Sequence, residues 1–189
     1  LLCIPACYAL ARFKIKGRDA IYFSYITFRM APPFVLIIPL FVIYRSLGFW
    51  DTHLGLTMMY MVIDIPLITW TLTGFFEQIP IEIEEAYIMD GHTILQTFLK
   101  ISLPMAFSGI IAVSLLCLVF TWNDLLFTLI LTANNALTAP PAILTFISFA
   151  EVKWGTLAAA TLVLALPLLV FSRIIQKYLA RGLTFGVVK

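Results

Sequence analysis

Four stretches of this chain run for about twenty residues or more with almost no charge: 20–45 (AIYFSYITFRMAPPFVLIIPLFVIYR), 55–76 (GLTMMYMVIDIPLITWTLTGFF), 105–131 (MAFSGIIAVSLLCLVFTWNDLLFTLIL) and 156–178 (TLAAATLVLALPLLVFSRIIQKY). A helix of about 20 mostly apolar residues crosses the hydrocarbon layer of a bilayer. Inside that layer each backbone N–H and C=O must find its partner within the protein, which leaves only helices or closed barrels. Barrel strands alternate apolar and polar residues, and these runs do not. The expected fold is therefore all-α, a polytopic transmembrane helical bundle occupying the whole of 1–189 as one domain. The opening LLCIPACYALA is apolar but spans only residues 1–11, roughly half a bilayer. It lacks the charged flank of a signal peptide and is expected to be the tail of an N-terminally truncated span, giving about five spans in all.

Composition agrees with this. Charged residues make up 12% of the chain and hydrophobic ones 62%, with a mean hydropathy of +1.02; soluble domains carry about 25% charge. Basic residues set the orientation. Arg12, Lys14, Lys16 and Arg18 crowd the first loop, and Arg173, Lys177, Arg181 and Lys189 the C-terminal tail. Placing both in the cytoplasm puts loop 77–104 there too and turns 46–54 and 132–155 outward. Prolines 32, 33, 39, 66 and 167 fall within the apolar runs, where neighbouring helices or water can re-satisfy the freed carbonyls. Cys3, Cys7 and Cys117 lie in apolar surroundings without disulfide or zinc spacing, so they are expected to pack as small apolar groups.

Loop 77–104 breaks the pattern. Pro80 can open a helix at its first position. Glu82, Glu84 and Glu85 then fall in or near the first turn, where the helix dipole favours them. Gly91 suits the left-handed residue that follows a helix C-terminus. Thr93 and Gln96 have capping-box spacing for a second helix. In that helix Ile94, Leu95, Phe98, Leu99 and Ile101 should gather on one side, opposite Gln96, Thr97 and Lys100, with Pro104 closing the segment. The first helix mixes carboxylates with Ile, Tyr and Met, which suits a protein partner better than lipid.

The motif Glu85-Ala86-x-x-x-Asp90-Gly91, nine residues, then Ile101-x-Leu103-Pro104 resembles the cytoplasmic loop of ABC importer permeases. Tyr87 stands where that family usually has a second alanine. The stretches GFFEQIPIEIEEAYIMDG, FTWNDLLFTLILT and YLARGLTFGVVK, with the early YALARFKIKGR, narrow the resemblance to the maltose-type carbohydrate permeases, and it covers essentially the whole chain. The resemblance implies a type I permease fold in a bacterial inner membrane, with the C-terminus cytoplasmic. It also implies that the loop carrying Glu84, Glu85, Ala86, Asp90, Gly91, Ile101, Leu103 and Pro104 is the coupling region that docks on a separate ABC ATPase dimer. The further implied partners are a second homologous permease subunit and an extracytoplasmic sugar-binding protein, besides membrane lipid. No nucleic-acid partner and no metal are implied. ATP and magnesium would be bound by the ATPase, and this chain would carry neither cofactor nor catalytic residues.

Asp64 and Arg29, with Asn123 and Asp124, are ionisable or polar residues at membrane depth, where such groups usually face the bundle interior. A sugar path would use Asp64, Asn123 and Asp124 for hydroxyl groups and the faces of Trp70 and Trp122 for packing. The alternative is pairing within the bundle. For Asp64 both stay open; for Asn123–Asp124 pairing is favoured, because the resembling family carries that motif across different sugars. His53 and His92 have no second ligand at metal spacing, and no HExxH, G-x-S-x-G or phosphate-cradling lysine loop is present. The alternatives are an ABC permease for a non-sugar solute, an integral membrane enzyme and a passive channel. An enzyme would need a catalytic cluster at one depth; a channel would have no use for a docked loop.

Overall fold

Apolar runs of this length can hide their backbone only in helices, and the described residues contain helices and turns but no β-strand. The computed structural model describes residues 2–30, 32–147 and 153–184, with the side chains of Arg29 and of residues 174–184 outside that description. In chain order the elements are α1 (Cys3–Arg12), α2 (Arg18–Met30), α3 (Pro33–Ser46), α4 (His53–Glu77), α5 (Ile81–Met89) and α6 (Ile94–Thr97). A π-turn (Phe98–Ser102) then leads to α7 (Leu103–Met105), α8 (Phe107–Trp122), α9 (Leu126–Leu131), α10 (Ala139–Ile143), a 3₁₀ turn (Leu144–Phe146) and α11 (Trp154–Thr184).

Among the described residues two helices, α4 and α11, are long and apolar enough to cross a membrane alone, and the number rises to four if each bent pair counts as one span. One pair is α2 with α3. Pro32 is extended there (φ −61°, ψ 123°) and Pro33 opens α3, since a residue before proline is pushed out of the helical region. The other pair is Ile94–Met105 with Phe107–Trp122, bent by 67°. The run 105–131 is not one helix: α8 stops at Trp122, and α9 starts at Leu126 after a break at Asn123–Leu125. None of the residues Trp154–Arg173 is fully buried, although several are half-buried.

The chain forms two compact units. Unit one comprises Leu1–Thr27, Ile65–Cys117 and the chain from Ile174; unit two comprises Phe28–Asp64 and Leu118–Arg173. The core of unit one is Cys7, Tyr8, Leu72, Phe76, Ile79 and Ala106. Tyr8 packs on Phe76 and Phe98, with ring centroids 5.6 and 4.8 Å away. Gly109 lets α8 approach α4: a Cβ there would lie 2.4 Å from the Phe75 ring. Unit two is centred on Ile37, Met59, Phe127 and Leu131. Cys3, Cys7 and Cys117 are not joined in disulfides, and Cys7 belongs to the unit-one core.

Candidate functional site

In unit one the acidic loop is ordered from its ends inward. Pro80 takes the N-cap position and Ile81 the first helical one, one residue later than the sequence suggests. Asp90 closes α5, and Gly91 follows with φ 90°, a left-handed conformation that costs glycine nothing. The capping box is complete: Gln96 N–H donates to Thr93 Oγ1 at 3.3 Å, and Thr93 N–H donates to Gln96 Oε1 at 2.9 Å. Across the Gly91 turn the rings of Tyr87 and His92 stack at 3.8 Å, and His92 Nδ1 donates to the Tyr87 carbonyl at 3.1 Å.

After Thr97 the helix widens. Pro104 has no N–H to return to the carbonyl of Lys100, and Leu103 N–H donates instead to Phe98 O, the longer bond of a π-turn. This corrects the expected second helix. Thr97 and Ser102 are completely buried, while Ile94, Leu95 and Leu99 are half-exposed or more. Phe98 packs on the core and Ile101 is half-buried, Gln96 and Lys100 are exposed, and the two hydroxyls turn inward because they have acceptors there. Thr97 donates to Thr93 O at 3.0 Å and Ser102 to Glu84 Oε1 at 2.9 Å.

Glu84 is the centre of this inner side. Although it lies in the first turn of a surface helix, it is only 4% exposed. Its Oε2 accepts from Arg12 Nε at 3.0 Å and from Tyr8 OH at 3.2 Å, and its Oε1 from Ser102. Arg12 also donates through Nη2 to Ile79 O at 2.7 Å. Glu85, Ala86 and Asp90 are exposed, as is Pro104, whereas Ile101 and Leu103 are half-buried. The outer side of the loop thus presents carboxylates among Ile81, Ile88, Met89, Ile94 and Leu95, a mixture suited to a protein interface.

Unit two holds a cavity of about 300 Å³ lined by Tyr60, Asp64, Thr121 and Asp124 together with rings including Phe120 and Phe127. Thr121 donates to Asp64 at 3.1 Å. Asp124 sits in the break before α9 and accepts at one oxygen from Thr128 N–H (3.1 Å), Thr128 OH (3.0 Å) and Tyr60 OH (3.2 Å). It therefore holds the first N–H groups of α9 as well as facing the cavity. Carboxylate and hydroxyl oxygens beside aromatic faces can hold a polyhydroxylated molecule. Of the sequence candidates, Asp64 and Asp124 are brought together here. Trp122 donates to Leu164 O at 3.2 Å, and exposed Asn123 donates to Val119 O at 2.8 Å. Trp70 belongs to unit one, beside a hollow with Arg18, Tyr22 and Glu77, where Arg18 pairs with Glu77. The side chain of Arg29 and the tail residues of YLARGLTFGVVK lie outside the described residues or side chains.

Sequence reasoning missed a second buried carboxylate, in unit two. Asp51, at φ 55°, accepts from the backbone N–H groups of Ala133, Asn134, Asn135 and Ala136 at 2.8–3.2 Å and from the Asn135 side-chain amide at 3.1 Å. The Ala133 N–H is the main reason that its carboxyl is held down at about 2, with the other loop N–H groups adding to it. The only local hint was the run of small, turn-forming residues TANNA opposite an aspartate after Gly-Phe-Trp.

Apolar helices of spanning length and a loop that offers its carboxylates to solvent define a helical membrane protein. The chain belongs to the family described as binding-protein-dependent transport system inner membrane component, which matches residues 4–185. It is similar to a trehalose transport system permease protein of Mycobacterium tuberculosis, 39% identical over 97% of this chain and 68% of that protein. An inner membrane ABC transporter permease protein of Escherichia coli is 37% identical over 98% and 67%. A trehalose/maltose transport system permease protein of Thermococcus litoralis is 32% identical over 97% and 67%. The chain thus spans about two thirds of the length of these relatives.

Proposed function

We propose that this chain is a membrane-spanning subunit of an ATP-driven bacterial importer of carbohydrates, with loop 77–104 and the C-terminus in the cytoplasm. Loop 77–104 docks on a separate ATPase dimer, which holds ATP and magnesium. A binding protein delivers the sugar from outside, and a second permease subunit completes the path. ATP-driven motion of the loop is converted by the helices into alternating access. The observation that carries this reading is the outer surface of α5 and α6: Glu85, Ala86 and Asp90 are exposed among apolar side chains, in a chain of this family. The sugar assignment rests on the trehalose and maltose transport named for two relatives. Within this chain the sugar path passes the cavity of Tyr60, Asp64, Thr121 and Asp124, a reading supported by the carboxylate and hydroxyl oxygens that line it.

The test is uptake into proteoliposomes holding the assembled complex, with ATP inside and binding protein outside. ATP-dependent uptake of a disaccharide such as trehalose is expected. Uptake of an amino acid or an inorganic anion instead would reject the sugar reading, and uptake indifferent to ATP would reject the importer.

A further inference from the structure

Glu84 directly precedes the exposed Glu85–Ala86 pair, yet it points the other way and binds three groups distant in sequence. Through it, and through Arg12 on Ile79 O, four pieces of chain meet: the last turns of α1, the turn before α5, α5 itself and the π-turn. Stability alone does not account for such a device. Replacing a buried ion pair by apolar side chains of similar volume is often neutral or better. Direction is what charge adds. The Arg12 guanidinium engages Glu84 Oε2 with Nε and Ile79 O with Nη2, a planar fork that fixes orientation as well as distance. Turning α5 by one residue, about 100°, would carry the Glu84 carboxylate out of that fork and change which residues face outward.

We propose that Glu84 is a positioning residue that makes α5, the π-turn and α1 move as one body, so that displacement of the loop by the ATPase is passed to α1 through Arg12. The inference rests on the docking reading given above and adds the route by which the loop's motion enters the membrane part. Tyr8 and Ser102 fix the two carboxylate oxygens, leaving α5 little freedom to roll. Glu85 binds the partner, and Glu84 transmits what the partner does.

The experiment uses the assembled complex in proteoliposomes, with Glu84→Gln, Arg12→Gln and the double variant. Two quantities are read: ATPase subunit retained after purification, and trehalose moved per ATP hydrolysed. Retention should stay at the wild-type level, while sugar moved per ATP falls roughly tenfold. The double variant should be no worse than either single, because both break one clasp. A wild-type ratio in both single variants overturns the proposal. So does a loss of retention that tracks the loss of uptake at constant ratio, since the clasp would then only shape the docking surface. Should Glu84→Gln fail to accumulate, Tyr8→Phe and Ser102→Ala keep the ion pair and remove one donor each. About a twofold fall in the ratio is expected from either, and an unchanged ratio overturns the proposal. Absence of ATP-driven uptake in the wild-type complex would reject the proposed function itself. Full ATPase retention by Glu85→Lys would reject the docking reading.

Discussion

Glu84 in unit one and Asp51 in unit two are both carboxylates withdrawn from water, and the chain satisfies them by opposite means. Glu84 takes side-chain donors from Tyr8, Arg12 and Ser102, one of them a full positive charge. Asp51 takes mostly backbone N–H groups, gathered by a single turn at 133–136. The first arrangement links separate segments through a charge pair. The second organises one loop around an anion, as successive backbone N–H groups do elsewhere. A side-chain clasp fixes orientation between elements but leaves a buried cation if its acid is lost. A backbone nest leaves only N–H groups, which water can reach when the loop relaxes.

That contrast orders the consequences of breaking each site. Glu84→Ala should be the most damaging, because the Arg12 side chain, only 9% exposed, would lose its counter-charge. A loss of about 3–5 kcal/mol is expected in thermal unfolding of the detergent-solubilised protein. Arg12→Met combined with Glu84→Leu should recover much of it, whereas a loss equal to the sum of the singles would break the contrast.

Asp51→Ala should destabilise less, with the change confined to faster amide exchange at residues 133–136. The pH dependence gives the sign. Because the carboxyl is lowered in the fold from 3.8 to about 2, its contribution is complete above about pH 5 and is lost as pH falls towards 2. Thermal midpoints measured from pH 7 to pH 3 should decline at the acid end, and Asp51→Asn should flatten that decline.

Gly91→Val ranks third. A β-branched residue at φ 90° costs on the order of 1–2 kcal/mol, with no clash to add, since a Cβ there meets nothing within 4 Å. Membrane insertion should persist while ATPase retention and uptake fall. Glu85→Lys should be smallest in stability, within about 0.5 kcal/mol, and visible only as weaker ATPase retention. A stability loss at Glu85 matching that at Glu84 would erase the difference between the two sides of α5.

Much of the loop was legible because its signals are local. Gly91 needs a left-handed backbone, and Thr93 and Gln96 form a capping box three residues apart. The side facing inward from 94 to 102 was misread in part, since Phe98 packs on the core and Gln96 and Lys100 are exposed as the period implies, and the rest was misread for a physical reason. Periodicity assumes that apolar residues go in. Here Thr97 and Ser102 go in because acceptors await them, and Ile94 and Leu95 stay out. The π-turn compounds the error by shifting the register that a 3.6-residue period assumes.

What the sequence determined alone is what short-range chemistry dictates. Apolar runs must become helices in a bilayer, Gly91 takes the left-handed turn that its place after a helix calls for, and an acidic loop must lie outside the hydrocarbon. Only the tertiary structure decided which acid is buried and which is offered. Glu84 and Glu85 are neighbours with the same side chain, and nothing within a turn of helix distinguishes them. Arg12 does, from 72 residues away. In the same way the loop at 133–136 selects Asp51, from more than 80 residues along the chain. A carboxylate can leave water only where donors converge, and convergence over such separations is a property of the folded chain.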